Sequence, residues 1–493
     1  MLPVNSAGHT GYQNFIVSQL CQHFPDPDTI PKDSWDIIER LWLTDLSSVD
    51  KLMESQYSVY GPQPRLPSDM LRSYLASILF GIPSITKWVS QMRICPLYAI
   101  VSGFPFWKTP GIGTFYDFFS RLWQSGDANF SSHIHSPKPK VKKPSKKGAK
   151  AESSEKVTVE SLLAEFRLTP VSTEQPFSLL LDIYCENFLK TSAAKGLIDT
   201  EKLSLAGDGT PVVTSARIRK KRTCSCREQG ISDCNCDRYF SQPDCDIGWD
   251  SSRDCFYHGF DLYMLTASDS ESDLPVFPLL SPASRHDSQG FLHCFFSMKA
   301  FLPDFNIQKL LLDSAHDAMP IYEYCAHNNI TPFIDLNAKR GAKVKYKDDF
   351  TVGADGVPVC RAGRKMNHDG AEKRKHRVKF RCPLTSRKYG CSCKSPCSDS
   401  KYGRTVHLAS KDNPRLFNIP PRDSKQWKTQ YNARTSAERC NKRMKIDFLL
   451  ESGHHRSSKM WYCRLYGIMM CQHLDAWDLP FESELKKCIR SAA

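Results

Sequence analysis

The chain has 493 residues, 40% of them hydrophobic, enough for roughly two to four globular domains with sizeable cores. Its 67 Lys and Arg against 53 Asp and Glu give a formal charge of +14, which favours a polyanionic partner, nucleic acid first. With no long uncharged apolar run and no N-terminal signal pattern, membrane insertion and export are not expected, and the 20 cysteines read as reduced, partly metal-bound thiols rather than disulfides.

Residues 1–130 read as a helical domain. Pro67-Ser68-Asp69 opens a run in which Leu71, Leu75, Ile78 and Leu79 repeat at helical spacing, and Thr114 is placed to cap a helix carrying Phe115, Phe118, Phe119 and Leu122. Residues 131–156 break this pattern: seven lysines lie between Lys138 and Lys150 with no acid among them, and prolines deny the segment a helix. It reads as a basic flexible linker, either a solvated tether or a segment that follows a nucleic-acid backbone.

Residues 157–337 alternate strands and helices. The run LSLAGDGTPVVTS loses its apolar character at Gly207-Asp208-Gly209, where an acid at the end of a buried strand, between glycines that admit a ligand, suits a metal-binding carboxylate. An Asp-Gly turn is the plainer alternative. FYHGFDLYMLTA and LPVFPLLSPA read as strands, and DSQGFLHCFFSMKAFL as a helix capped at Asp287 or Ser288. A buried strand, Leu310 to Leu312, ends in Asp313, followed by a helix to about Ala326 and a strand near Pro332 to Leu336. The order strand, strand, strand, helix, strand, helix, strand, helix is that of an α/β fold of the RNase H-like kind, a mixed sheet with flanking helices. Asp208 and Asp313 then end neighbouring strands in the middle of the sheet.

Between the first and second strands lie Cys224, Cys226, Cys234, Cys236, Cys245 and Cys255, dense enough for structural Zn²⁺ although their short spacing is Cys-x-Cys. Residues 338–425 read as a β-rich basic insertion with a second group, Cys360, Cys382, Cys391, Cys393 and Cys397, near His368 and His376. Its stretch Arg361 to Arg381 holds nine Lys and Arg against two acids, a candidate surface for a nucleic-acid backbone. Residues 426–493 close the α/β unit, and in them YNARTSAERCNKRMK puts Tyr431, Arg434, Glu438 and Lys445 at helical offsets of 3, 7 and 14 from the first. A carboxylate between cations and a phenol is arranged like a metal ligand beside a phosphate-holding surface, although a solvated helix with ordinary ion pairs has the same composition. Trp427, four residues before Tyr431, is a candidate to stack on a base, packing being its commoner use.

The spacing Tyr, two residues, Arg, three residues, Glu, six residues, Lys resembles the third catalytic motif of the DDE transposases of bacterial insertion sequences, and Asp208 and Asp313 supply the other two acids in order. The helix ending in LFGIPSITKWV followed by GIGTFYDFFSRLW resembles their N-terminal domain, which helps to bind transposon-end DNA. The resemblance implies that Asp208, Asp313 and Glu438 hold two Mg²⁺ ions, with Mn²⁺ as a substitute, and that Tyr431, Arg434 and Lys445 hold DNA phosphates. It implies double-stranded DNA with terminal inverted repeats and target DNA as partners, a homodimer across paired ends, and a hairpin intermediate between cleavage and strand transfer. A cytoplasmic, nucleoid-associated protein is expected. A catalytically inactive DNA-binding derivative and an RNase H-like nuclease without strand transfer are the alternatives.

Overall fold

The computed structural model describes residues 2, 8–130, 157–222, 226, 228–231, 238–242, 244–337, 344–346, 350–386, 390–394, 396–400, 402–453 and 455–492. The lysine-rich segment 131–156 lies outside them.

Helices α1 (Gly8–His23), α2 (Lys32–Leu43), α3 (Ser47–Leu52), α4 (Pro67–Leu79), α5 (Ile85–Ile94), α6 (Pro96–Val101) and α7 (Ile112–Leu122) come first. Pro67 sits in the first turn of α4, where its missing N–H costs nothing, and α4 is buried on almost every side. Helix α7 buries Phe115, Phe118, Phe119 and Leu122, one stripe at helical spacing. It begins at Ile112 after Gly111, so Thr114 is inside the first turn rather than at the cap.

After α8 (Val159–Leu168), helix α9 (Ser178–Tyr184) runs through a π turn, Cys185–Leu189, into α10 (Lys190–Ala194). Strands β1 (Leu203–Val213), β2 (Ile218–Arg222), β3 (Arg238–Phe240), β4 (Asp246–Asp250), β5 (Cys255–Ala267) and β6 (Pro275–Pro282) precede α11 (Asp287–Phe301), β7 (Ile307–Leu312), α12 (Met319–His327) and β8 (Thr331–Ile334). The main sheet is mixed, in the order β4-β5-β1-β7-β8 with β6 also on β5. Strand β5 is antiparallel to β1, β4 and β6, whereas β7 is parallel to β1 and to β8. His286, rather than Asp287 or Ser288, caps α11: its backbone is extended and its ring Nδ1 accepts the Ser288 N–H.

A β-rich region follows, with β9 (Val344–Tyr346), β10 (Phe350–Val352), β11 (Pro358–Val359), β12 (Asn367–Glu372), β13 (Arg377–Arg381), β14 (Thr385–Ser386), β15 (Gly390–Cys391) and β16 (Thr405–Ala409). It has a small core of its own around Val352, Val378, Phe380 and Leu408. The two acids of its basic stretch are shared among cations: Asp369 pairs with Lys379 and Arg381, and Glu372 with Lys375, Arg377 and His407. Two carboxylates offset only two of the nine positive charges, so the stretch remains basic.

Helices α13 (Lys425–Asn432), α14 (Thr435–Lys442), α15 (Ser458–Ala476) and α16 (Glu484–Ala492) end the chain. Helix α15 is buried on nearly every side, its polar Arg464, Gln472 and His473 included. It packs on α4 and α7 on one side and on α9 and β6 on the other, so the N-terminal helices and the sheet share one continuous hydrophobic core. No helix among the described residues is long and apolar enough to cross a membrane.

Candidate active site

Side chains alternate across a strand, and the partners Asp208 of β1 and Met264 of β5 point to the face covered by α14, whereas Tyr263 points to the face covered by α11. Asn441 of α14 donates from Nδ2 to Asp208 Oδ2 at 3.1 Å. The flanking glycines serve the packing of the protein itself: a Cβ at Gly207 would lie 2.7 Å from Tyr263 Oη, and one at Gly209 would lie 3.2 Å from Asp287 Oδ1. They let β1 lie close to its neighbours where the sequence suggested room for a ligand.

Asp313 is the first residue past β7, the parallel neighbour of β1. Its Oδ1 accepts the Ala315 N–H at 3.0 Å and stands 2.6 Å from His316 Nδ1. A carboxylate only accepts, so Nδ1 carries the proton, and His316 Nε2 stands 2.9 Å from Tyr263 Oη. The relay Tyr263, His316, Asp313 fixes the direction of the carboxylate. His316 and Tyr263 are the site residues that sequence reading missed; a His three residues after a strand-end Asp was the available signal.

The helix expected from Tyr431 to Lys445 is interrupted twice. Ala433 and Arg434 form a tight turn between α13 and α14, with the Arg434 N–H bonded to Tyr431 O and the Ala437 N–H to Arg434 O. Residues Arg443–Asp447 widen into a π turn. Tyr431, Arg434 and Glu438 remain near one another: the Arg434 guanidinium lies 5.7 Å from the Tyr431 ring centre, and its Nη2 pairs with Glu438 Oε1 at 2.7 Å. Lys445 leaves that face and donates to Pro211 O at 2.7 Å. Trp427 is 5% exposed, stacked on Tyr431 at 4.5 Å and packed on Phe333, so Tyr431 is the outer ring of the pair and Trp427 a packing residue here.

Burial pushes the Asp208 carboxyl up to about 7; the charges of Asp313 and Glu438 add to this, while Asn441 and Arg434 oppose it. Burial also works against the Asp313 charge, but the hydrogen bond and charge of His316, with the Ala315 N–H and Arg434, outweigh it and hold that group below its usual range. The three acids thus act on one electrostatic centre. Among the described residues, no three acid, His or Cys side chains are gathered closely enough to ligate one ion, and the half-exposed Glu438 is engaged by Arg434.

Residues 234–474 match the family model of the transposase DDE domain. That segment, just under half of the chain, is similar to the transposase DDE domain. It contains Asp313 and Glu438, and Asp208 lies upstream of it. No curated protein matches the chain.

Cys224, Cys234 and Cys236 lie outside the described residues. Cys245 is a core residue near Thr214 and Gln242, its thiol pushed up to about 12 by burial, whereas Cys255 is exposed on β5. A protonated core thiol is a poor zinc ligand, which separates Cys245 from the proposed cluster.

The raised Asp208 value predicts a stability effect. The folded state holds this proton more tightly than the unfolded one, so stability is unpenalised below the ordinary value of 3.8 and is lost as the pH rises through about 7. In divalent-free buffer Asp208→Asn is expected to be more stable than wild type by about 2–4 kcal/mol at pH 8, with a smaller gain at pH 5. Urea denaturation at both pH values measures this; an equal gain at both would separate it from the titration of Asp208.

Proposed function

We propose that this chain is a DNA transposase that cleaves at transposon ends and joins the freed 3′-hydroxyl to target DNA. The observation that carries this reading is the convergence of three acids from β1, the end of β7 and α14, electrostatically coupled at Asp208. The strand order, with an antiparallel first trio and two further strands parallel to β1, supports an RNase H-like catalytic unit.

The donor set fits a hard divalent cation. All three ligand groups are carboxylates, and the buried Asp208, with its value near 7, lacks the positive charge that a cation would bring. Asp208, Asp313 and Glu438 would hold Mg²⁺, two ions in the reading proposed, with Mn²⁺ as substitute. Bound there, the metal would activate the attacking oxygen and stabilise the leaving one. His316 keeps the Asp313 carboxylate aimed at the site. Arg434 holds Glu438 in the free chain; a scissile phosphate competes for the guanidinium and releases Glu438 toward Asp208. Tyr431, at the outer edge, lies against the same phosphate. The N-terminal helices bind the terminal repeats, and two copies act across paired ends.

The test is incubation of purified protein with Mg²⁺, DNA from the borders of its own gene and a target plasmid. Nicks leaving 3′-hydroxyls at the element border, followed by joined products, are expected. Cleavage without joining would indicate a nuclease, and metal-independent binding alone a DNA-binding derivative.

A further inference from the structure

Strand β1 outruns its neighbour. Its pairing with β5 reaches Val213 opposite Gly259, but its pairing with β7 ends at Ala206 opposite Leu311. Beyond that point the β7-side edge of β1 has no strand partner among the described residues, and this edge begins just before Asp208. Odd-numbered residues point to it, as the Leu203 N–H bonded to Asn306 O shows. Pro211 has no N–H to offer there, which leaves its carbonyl and the Val213 amide among the groups that must be satisfied.

Two side chains take the place of the missing strand. Lys445 Nζ donates to Pro211 O at 2.7 Å, and Glu451 Oε1 accepts the Val213 N–H at 2.9 Å. The two side chains pair with each other at 3.3 Å, Lys445 14% and Glu451 25% exposed. Lys445 follows Asn441 by four residues, and Asn441 holds Asp208 on the same strand. The segment from α14 through the π turn is therefore stitched to β1 at Asp208, Pro211 and Val213. Glu438 lies on that segment, so the stitches set its offset from Asp208.

We infer that Lys445 and Glu451 are positioning residues, a brace that fixes the spacing of the Asp208 strand and the Glu438 helix. The functional half of the inference rests on the cleavage reading above; the structural half does not. In the free chain Lys445 donates to a backbone carbonyl and carries its own counter-ion, Glu451. The π turn brings it there, because an unbroken α-helix would leave it on the Glu438 face.

Two measurements on Lys445→Met and Glu451→Ala test the brace. In protein free of DNA and divalent cations, both variants should exchange the Val213 amide about 10-fold faster than wild type or more, with unchanged exchange in α4. In single-turnover cleavage, both should lower the rate by about 10- to 100-fold at saturating DNA, and the double variant should be no slower than the worse single one. Lys445→Arg should restore most of the rate. Unchanged Val213 exchange, or a cleavage rate for Glu451→Ala within about 2-fold of wild type, would overturn the inference. If wild type cleaves nothing, the transposition reading fails while the exchange result still decides whether the brace exists.

Discussion

Asp208→Ala is expected to reduce metal-dependent strand cleavage by at least about 1000-fold while DNA affinity stays within about 2-fold of wild type. Asp208 is the acid on which the others act: it accepts from Asn441 and feels the charges of Arg434, Asp313 and Glu438 together. No neighbouring carboxylate on that face can replace it, because Asp261 and Asp287 lie against Gly209 on the α11 side of the sheet. The companion variant Asp208→Asn, more stable than wild type above pH 7, should be equally inert. A protein that gains stability while losing its chemistry is the signature of a group kept for function at a cost to the fold. Single-turnover cleavage with Mg²⁺ and with Mn²⁺ provides the measurement; a rate within 10-fold of wild type in either metal would remove Asp208 from the site.

Asp208 and Asp313 could be found from the sequence because apolar runs stop at them: LSLA breaks off at Gly207-Asp208, and LLL at Asp313. Asp313 does follow the end of its strand, whereas Asp208 stands in the middle of β1, which runs on to Val213. What ends at Asp208 is the continuously buried, apolar part of the strand, and the order of strands and helices then makes the two strands neighbours. The helix bearing Glu438 was legible as a pattern but not as a shape. Its tight turn at Ala433-Arg434 and its π turn at Arg443–Asp447 come from tertiary contacts, Trp427 on Phe333 and Lys445 on Pro211, which periodicity does not encode. His316 escaped for the same reason, since its role depends on Tyr263, which is distant in sequence. The N-terminal helices read as a unit of their own, yet their core continues through α15 into the sheet. A helix buried all round carries no amphipathic stripe to say what lies on either side.

The β-rich region meets the catalytic sheet through a charge pair whose loss should be costly. Asp317, four residues past Asp313, is fully buried and accepts from Arg415 Nε at 2.8 Å and Nη2 at 2.6 Å, from Tyr322 Oη at 3.0 Å and from the Asn337 N–H at 2.8 Å. Arg422 adds a second layer, donating to Ile334 O, Arg415 O and Tyr322 Oη, and Asn418 donates to Pro332 O. The strap from Arg415 to Arg422 is thus fastened to β8 and α12, and it leads straight into α13 and the Glu438 helix. Asp317→Ala would leave the largely buried Arg415 guanidinium without this counter-charge and the Asn337 amide without its acceptor, an expected loss of about 3–5 kcal/mol in chemical denaturation. Apolar replacement of both partners, Asp317→Leu with Arg415→Met, should recover much of that loss, because the charge left unpaired, more than the missing bond, carries the cost. Cleavage in the double variant should still be slower than in wild type, since the strap would hold the Glu438 helix without its charged fastening. A single-variant loss below about 1 kcal/mol would mean that Arg415 finds water or another acceptor once Asp317 is gone, and that the strap is held by Arg422 and Asn418 instead.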